Sequence, residues 1–192
     1  MKLILASNNQ GKIAEIKSLL PGIAIFTMRD IGFEDAIEEP YDSFRENARI
    51  KAKTIHDFCG LPVLADDSGL CVDALDGRPG VFSARFAGPD ATDAENNEKL
   101  LGALEGAESR KGHYVAMLCL IIRGEAHFFE GRCDGSIAAA PKGSLGFGYD
   151  PLFIPDGYDR TFGEIDPGIK SRISHRAKAL EAFRASGLLA AQ

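Results

Sequence analysis

The sequence contains no tryptophan, few cysteines and no long apolar stretch. No run of residues approaches the roughly 18 consecutive apolar positions that cross a bilayer, so we expect no membrane-spanning segment. The apolar residues 3–6 form a run that is too short for a secretory signal peptide. These features favour a cytoplasmic protein with no membrane partner.

The four cysteines lack the spacings that are typical of zinc sites and redox pairs. They include no Cys-x-x-Cys motif, and three of them fall in strand-like segments. We interpret them as reduced thiols of the protein core, which again favours the cytoplasm. These residues are Cys59, Cys71, Cys119 and Cys133.

The chain also lacks an excess of positive charge. Its formal net charge is −6, whereas a protein that binds DNA or RNA non-specifically usually presents a strongly basic face. We therefore expect no nucleic acid partner, although a local phosphate pocket stays possible. Because 45% of the 192 residues are hydrophobic, the chain can bury a substantial core, and we predict one domain over residues 1–192.

Alternating strand and helix patterns in the first third predict an α/β or α+β fold with a mixed sheet. Residues 2–6 form the first predicted strand, and a helical apolar pattern then runs to Leu20. Residues 28–42 are polar and acidic and are predicted to form a loop. A capping box at Ser43 begins a helix that we expect to end near Cys59.

The remaining elements follow from turn and capping signals. Residues 61–75 predict a strand, an acidic turn and a second strand, and Thr92 begins a helix with a second capping box. Residues 113–123 and 126–138 form the clearest predicted hairpin. The last helix is predicted over residues 174–186.

Two adjacent carboxylates, Asp66 and Asp67, stand where the first of these strands is predicted to end. Like charges repel each other, so the pair requires an outside cation or hydrogen-bond donors. Two carboxylates suit Mg²⁺, which prefers oxygen ligands, and one of them could act as a general base toward water. A tight acidic turn without a function is the alternative.

A polar segment joins the first predicted strand to the first predicted helix. Helix N-termini offer unpaired N–H groups and partial positive charge, which suit a phosphate group. The segment lacks the Walker frame, and a helix cap beside a solvated lysine explains it equally well. Its residues are Ser7, Asn8, Asn9, Gln10, Gly11 and Lys12.

Two segments near the C-terminus also combine residue types that bind ligands. Glycine-flanked aromatics at residues 146–151 could form a flat platform for a base, or simply a turn that buries its aromatics. Four cations and His175 lie within residues 170–178, at the start of the last predicted helix, where positive charge opposes the helix dipole. This arrangement favours an anion or polar ligand nearby, and the alternative is a solvated basic face.

Six motifs in collinear order resemble the inosine-triphosphate pyrophosphatases, which cleave non-standard purine nucleoside triphosphates. The resemblance covers nearly the whole chain. The motifs are Ser7-x-Asn9-x-x-Lys12, the helical residues 46–52, LADDSGL at 64–70, GRPGVFSARFAG at 77–88, GFGYDPLF at 146–153 and SHRAKAL at 174–180.

The resemblance implies an elongated α/β fold with a long, twisted mixed sheet flanked by helices, two lobes, a central cleft and a homodimer. It implies hydrolysis of ITP, dITP and XTP to the monophosphate and pyrophosphate with Mg²⁺. Asp67 is then the general base and a metal ligand, and Glu39 is the second metal carboxylate.

The resemblance also implies which residues bind the substrate. Residues 7–12 and Lys51 hold the triphosphate, and Ser68 touches the nucleotide. Phe147 stacks on the purine, with Gly148, Tyr149 and Asp150 around it. The residues that read the base edge are Lys170, Ser174, His175 and Arg176.

These roles agree with the chemistry of purines. Hypoxanthine and xanthine carry an acceptor oxygen at C6, where adenine carries an amino donor. A site lined by donors accepts the oxygen, whereas adenine leaves buried donors unpaired at about 1–3 kcal/mol each. In this interpretation the metal ion supplies the positive charge that Asp66 and Asp67 require.

Two other functions stay open. A less selective nucleotide pyrophosphatase of the Maf type would cleave ITP and ATP alike. A purine-sensing module would bind nucleotides tightly without turnover.

Overall fold

The computed structural model describes residues 2–189 and has a mixed sheet flanked by helices. The strands are β1 (Lys2–Ala6), β2 (Ala24–Thr27), β3 (Val63–Val72), β4 (Lys111–Ile122), β5 (Glu125–Ile137) and β6 (Phe153–Pro155). The helices are α1 (Gln10–Leu19), α2 (Phe44–Cys59), α3 (Asp93–Ala103), α4 (Pro167–Ile173) and α5 (His175–Ala185).

The six strands lie in the order β2-β1-β3-β4-β5-β6. Strand β1 pairs in parallel with β2 and with β3, whereas β5 and β6 are antiparallel. The predicted α/β class with a mixed sheet is therefore confirmed. Within residues 2–189, no helix is both long and apolar enough to cross a membrane.

The described residues divide into two compact units. The first contains the residues up to Asp67, Ala116–Gly131, and the residues from Arg176 onward. The second contains Ser68–Val115 and Arg132–His175.

Strand alternation places the core of the first unit on both faces of the sheet. Leu5 of β1 and Leu64 of β3 pack on one face with residues of α1 and α5, while Ala65 packs on the other face with residues of α2. Because successive side chains of a strand point to opposite faces, Asp66 points toward α1 and α5, and Asp67 points toward α2.

The core of the second unit is rich in aromatic residues. Leu70 of β3 and Leu100 of α3 pack with Phe153 and Phe162, and all four are fully buried. The four cysteines are free thiols, of which Cys119 and Cys133 are buried and the other two are half-buried.

The predicted turn at Asp66-Asp67 is wrong. Strand β3 runs without interruption from Val63 to Val72, through both carboxylates. Each carboxylate lies beside cations of the protein: Lys12 and Arg176 bind Asp66, and Lys51 binds Asp67.

The predicted final helix over residues 174–186 agrees with α5 (His175–Ala185) within one residue at each end, but α4 (Pro167–Ile173) lies directly before it and was not predicted. Asp166 caps α4 by accepting from the N–H of Gly168, and Ser174 has extended backbone angles that separate α4 from α5. Lys170 and Arg172 therefore lie in the last turn of α4, where the helix dipole favours positive charge. Of the four cations within residues 170–178, Arg176 and Lys178 lie at the start of α5.

The predicted hairpin turn, the capping box at Thr92 and the N-cap at Ser43 are confirmed. Arg123 and Gly124 join β4 to β5 with positive φ angles of 55° and 79°, as a type I′ hairpin turn requires. Thr92 forms the complete capping box of α3, and Ser43 caps α2.

Candidate active site

Asp66 lies in a compensated ionic network on the face of α1 and α5. Its Oδ1 is 2.8 Å from Nζ of Lys12, and its Oδ2 accepts a 2.9 Å hydrogen bond from Nε of Arg176. Burial alone would raise the pKa of Asp66, but Arg176 and then Lys12 outweigh it and hold that pKa well below its usual range. Of the two forms of compensation expected for Asp66, an outside cation or hydrogen-bond donors, the structure provides donors of the protein itself.

Arg176 completes this network through a second carboxylate. Its Nη1 donates to Oε2 of Glu15 in α1, and the residue is only 1% exposed. Burial opposes the charged form, yet Asp66 and then Glu15 raise the pKa of Arg176 above its ordinary value. Arg176, predicted to read a base edge, is thus bound by two carboxylates of the first unit.

Asp67 has a different environment on the face of α2. Nζ of Lys51 lies 2.7 Å from its Oδ1 and also donates to the backbone oxygen of Asp66 at 2.9 Å. Burial raises the pKa of Asp67 to about 6, against the effect of Lys51. Its Oδ2 is buried and accepts no hydrogen bond from any residue in the range 2–189. This face of β3 thus carries a buried carboxylate that has a raised pKa and one oxygen that accepts no hydrogen bond from the described residues.

Glu39, from the acidic loop of residues 28–42, also pairs with Lys51. We call the site formed by Asp67, Lys51 and Glu39 the acidic corner. Oε1 of Glu39 is 3.3 Å from Nζ of Lys51. Burial by itself raises the pKa of Glu39, but Lys51, a hydrogen bond with the Asp67 carboxyl group and the charge of Lys12 together outweigh it, and the resulting pKa is lowered. The same two carboxylates raise the pKa of Lys51, although its burial acts in the opposite direction.

The two carboxylates fit a magnesium ion that is shared with a substrate. Among the described residues, no group of three or more His, Cys, Asp or Glu side chains could hold a metal. Mg²⁺ commonly uses only one or two carboxylates together with water and substrate phosphates. Asp67 and Glu39 form such a pair, and the unpartnered Oδ2 of Asp67 is a suitable ligand atom.

The polar segment before α1 adopts the predicted cap. Asn9 is the N-cap, and its Oδ1 accepts a 3.0 Å hydrogen bond from the N–H of Lys12. The N–H of Asn9 donates to Oγ of Ser7, and the side chain of Gln10 donates to the backbone oxygen of Asn8. Asn8, Asn9 and Gln10 are exposed at the start of α1, while Lys12 reaches inward to Asp66.

In the second unit, residues 146–150 form a tightly held segment that we call the Phe147 loop. Oδ2 of Asp150 accepts from the N–H of Phe147 at 2.8 Å and lies 2.6 Å from Nζ of Lys170. The same Nζ is 5.2 Å from the centre of the Phe147 ring. Gly146 has a φ of 77°, and a Cβ at that position would clash with the Asp150 carboxylate.

The buried side chain of Tyr149 holds this loop in place. Its hydroxyl donates to the backbone oxygen of Ser83 at 2.8 Å, and the side chain is only 3% exposed. Burial raises the pKa of Tyr149. The half-buried Phe147 ring is consequently the aromatic group that the loop can offer to a ligand.

The other predicted base contacts lie at the junction of α4 and α5. The His175 ring stacks on Tyr114, with centroids 4.5 Å apart and an interplanar angle of 9°. The N–H of Ser174 donates to the backbone oxygen of Lys170. Ser68 is half-buried in β3, directly after Asp67. The second unit therefore contains the Phe147 loop, Lys170, Ser174 and His175.

Comparison with known proteins identifies the family. Residues 3–186 match the sequence profile of the Ham1 family. This chain belongs to the Ham1 family.

Relatives of this Ham1-family chain are similar over nearly their whole length. A dITP/XTP pyrophosphatase of Nautilia profundicola is 46% identical over 184 residues, which are 94% of each chain. A dITP/XTP pyrophosphatase of Aliarcobacter butzleri is 44% identical over 189 residues, covering 94% of this chain and 95% of the relative.

Solved structures give the same result. A HAM1 protein from Coxiella burnetii has a TM-score of 0.88 and 41% identity, covering 97% of this chain and 98% of its own. A nucleoside-triphosphatase / dITP/XTP pyrophosphatase from Mycobacterium abscessus has a TM-score of 0.78 and 42% identity, covering 95% and 98%. These comparisons confirm the predicted family.

Three polar residues of this Ham1-family chain escaped the sequence analysis. Glu15 binds Arg176, and Asp93 and Asn97 both bind Gly148. The available signal was spacing, since Glu15 follows Lys12 by three positions and Asn97 follows Asp93 by four, which places each pair on one face of its helix.

Proposed function

We propose that this protein is a nucleoside-triphosphate pyrophosphatase that hydrolyses the non-standard purine nucleotides ITP, dITP and XTP. The products are the monophosphate and pyrophosphate, and the reaction removes these nucleotides from the nucleotide pool. The observation that carries the proposal is the buried carboxylate of Asp67, which shares Lys51 with Glu39 and retains a spare acceptor oxygen. The relatives named dITP/XTP pyrophosphatases support the substrate class.

In this proposal Asp67 and Glu39 hold Mg²⁺, which neutralises charge on the phosphate oxygens when it is bound. Lys12, Lys51 and residues 7–11 bind the triphosphate. A water oxygen bonds to the α-phosphorus, the bond from that phosphorus to the bridging oxygen breaks, and pyrophosphate leaves. The Asp67 carboxylate accepts the proton of the water, and its pKa of about 6 makes it ionised and still basic near neutral pH.

The base half of the proposal uses the second unit. Phe147 stacks on the purine, and Gly148, Tyr149 and Asp150 form the loop around it. Lys170, Ser174 and His175 are the predicted contacts of the base edge that belong to this unit. The close pair of Lys170 and Asp150 supports this role, because it offers a donor and an acceptor side by side beside the Phe147 ring.

The decisive experiment measures pyrophosphate release from ITP, XTP, ATP and GTP, with and without Mg²⁺. We expect turnover of ITP and XTP to exceed that of ATP by roughly tenfold or more, because adenine leaves the donors that read the C6 oxygen unpaired. Guanine keeps that oxygen and adds a 2-amino group, so slower turnover of GTP would depend on other contacts of the pocket. Equal rates on all four would indicate a pyrophosphatase of the Maf type, and binding without turnover would indicate a sensor. Turnover without Mg²⁺ would contradict the metal site.

We also propose a cytoplasmic homodimer with no nucleic acid partner. The family resemblance supports the dimer, and four free thiols fit a reducing compartment. Sedimentation equilibrium of the purified chain gives the oligomeric state directly, and a monomer at micromolar concentration would contradict the proposal.

A further inference from the structure

Helix α3 binds both polar backbone groups of Gly148, in the middle of the Phe147 loop. The N–H of Gly148 donates to Oδ2 of Asp93 at 2.6 Å. Nδ2 of Asn97 donates to the backbone oxygen of Gly148 at 3.0 Å. Asp93 and Asn97 lie on one face of α3 because they are four residues apart. One face of α3 thus binds both the backbone N–H and the backbone oxygen of Gly148.

Gly148 depends on these two hydrogen bonds for its position. It has no side chain to pack, and its φ of 62° lies in the left-handed region. The residues on either side of Gly148 have other supports. The N–H of Phe147 is bound by Asp150, and the hydroxyl of Tyr149 is bound by the backbone of Ser83. Without Asp93 and Asn97, the centre of the loop would lose the contacts that fix its peptide planes.

The burial of Asn97 argues against a merely structural role. The residue is 7% exposed, and its Oδ1 accepts no hydrogen bond from the described part of the chain. A buried amide that is only half satisfied is costly. The adjacent Asn96 shows the satisfied alternative, because its Nδ2 donates to Ala84 and its Oδ1 accepts from Ala87. Asn96 joins two structural segments, whereas Asn97 serves the Phe147 loop alone.

We infer that Asp93 and Asn97 are positioning residues for purine recognition. They hold Gly148 so that the adjacent Phe147 ring keeps the orientation needed to stack on the base. This inference rests on the proposed function. It adds two residues that act through the backbone of the loop and not by touching the reacting phosphates. The phosphate-binding residues of the first unit do not depend on them.

The test separates base binding from phosphate binding. Calorimetry in the presence of Mg²⁺ measures the affinities for inosine monophosphate and for inorganic tripolyphosphate, which has no base. For Asp93→Ala we expect a roughly tenfold loss of affinity for the monophosphate and a similar rise in KM for ITP, since one charge-assisted hydrogen bond is removed. Tripolyphosphate affinity and kcat should change less than about twofold.

A conservative variant tests the hydrogen bond itself. Asp93→Asn keeps an acceptor oxygen for the N–H of Gly148, so it should restore most of the lost affinity although it removes the charge. Asn97→Leu removes the second bond while keeping the branched shape of the side chain, and it should weaken monophosphate binding in the same selective way. Glu98→Ala, an exposed position of the same helix, is the matched control and should behave as the wild type.

Several outcomes would overturn the inference. The inference fails if Asp93→Ala binds inosine monophosphate as tightly as the wild type. It also fails if Asp93→Ala weakens tripolyphosphate binding equally, which would indicate a general structural defect. Failure of Asp93→Asn to restore binding would also contradict it. If the wild type binds inosine monophosphate but does not hydrolyse ITP, the proposed function fails while the positioning role still stands on the binding data.

Discussion

Asp66 and Asp67 are neighbours in β3, yet the two faces of the strand give them opposite properties. On the face of α1 and α5, Lys12 and Arg176 bind Asp66 and hold its pKa well below the usual range. On the face of α2, burial raises the pKa of Asp67 to about 6 despite the ammonium of Lys51. One step along the strand thus separates a carboxylate whose pKa is lowered from one whose pKa is raised.

The difference lies in the balance of charge on each face. Asp66 and Glu15 face two cations, so their network is neutral. Asp67 and Glu39 both pair with Lys51, whereas Lys12, which is paired with Asp66, acts on them through its charge. The two carboxylates thus divide the charge of Lys51 between them. Buried charge without compensation is costly, so the acidic corner is where a divalent ion and a polyphosphate would be accommodated.

The largest expected effect is the loss of catalysis at Asp67. Asp67→Asn removes the proposed general base and the proposed metal ligand while preserving the shape of the side chain. We expect kcat to fall by about 10³–10⁴-fold in the ITP assay. Asp57→Asn, at an exposed residue of α2 that pairs with Lys53, is the control and should retain full activity. An Asp67→Asn protein with more than a tenth of the wild-type kcat would refute the assignment.

The next effect is on stability, and it should fall on the other face of the strand. Asp66→Asn leaves Arg176 and Lys12 without their buried partner, so we expect a loss of about 3–5 kcal/mol in the free energy of unfolding. Urea denaturation measures this loss. Asp67→Asn should cost clearly less, because the asparagine relieves the desolvation of a poorly compensated charge. Equal losses in the two variants would show that the two faces do not differ.

Short sequence patterns were sufficient to predict the helix caps and turns that are formed by residues only a few positions apart. The capping box at Thr92 and the positive-φ turn at Gly124 involve residues at most a few positions apart, and both are found as predicted. The collinear motifs also predicted the family. The start of α4 was missed even though Asp166 and Pro167 are a recognisable helix start.

Contacts between distant residues could not be predicted in this way. Asp66 binds Arg176, which lies 110 positions along the chain. Asp93 and Asn97 reach Gly148 across 55 and 51 positions. In each case the sequence shows a polar residue, but only the fold shows that its partner has the opposite charge or a complementary backbone group.

The smallest expected effect is a pH dependence of stability with opposite signs at the two aspartates. The folded protein binds the Asp67 proton more tightly than the unfolded chain, in which the pKa is about 3.9. The stability that Asp67 contributes is therefore full below about pH 4 and is lost as the pH rises through about 6. Asp66 has a lowered pKa, so its contribution is present above about pH 4 and is lost in more acidic solution.

Urea denaturation of the metal-free protein between pH 4 and 7 tests the direction in which the contribution of Asp67 to stability changes with pH. The stability of Asp67→Asn relative to the wild type should rise by about 1–3 kcal/mol over this range. When both proteins carry Glu39→Gln, the stability of Asp67→Asn relative to its parent should rise less with pH. The reason is that the Glu39 carboxylate contributes to the raised pKa of Asp67. Glu34→Gln, in an exposed part of the same loop, should leave the rise with pH unchanged. A relative stability that falls with pH would mean that Lys51 compensates Asp67 fully, and the two faces of β3 would then be alike.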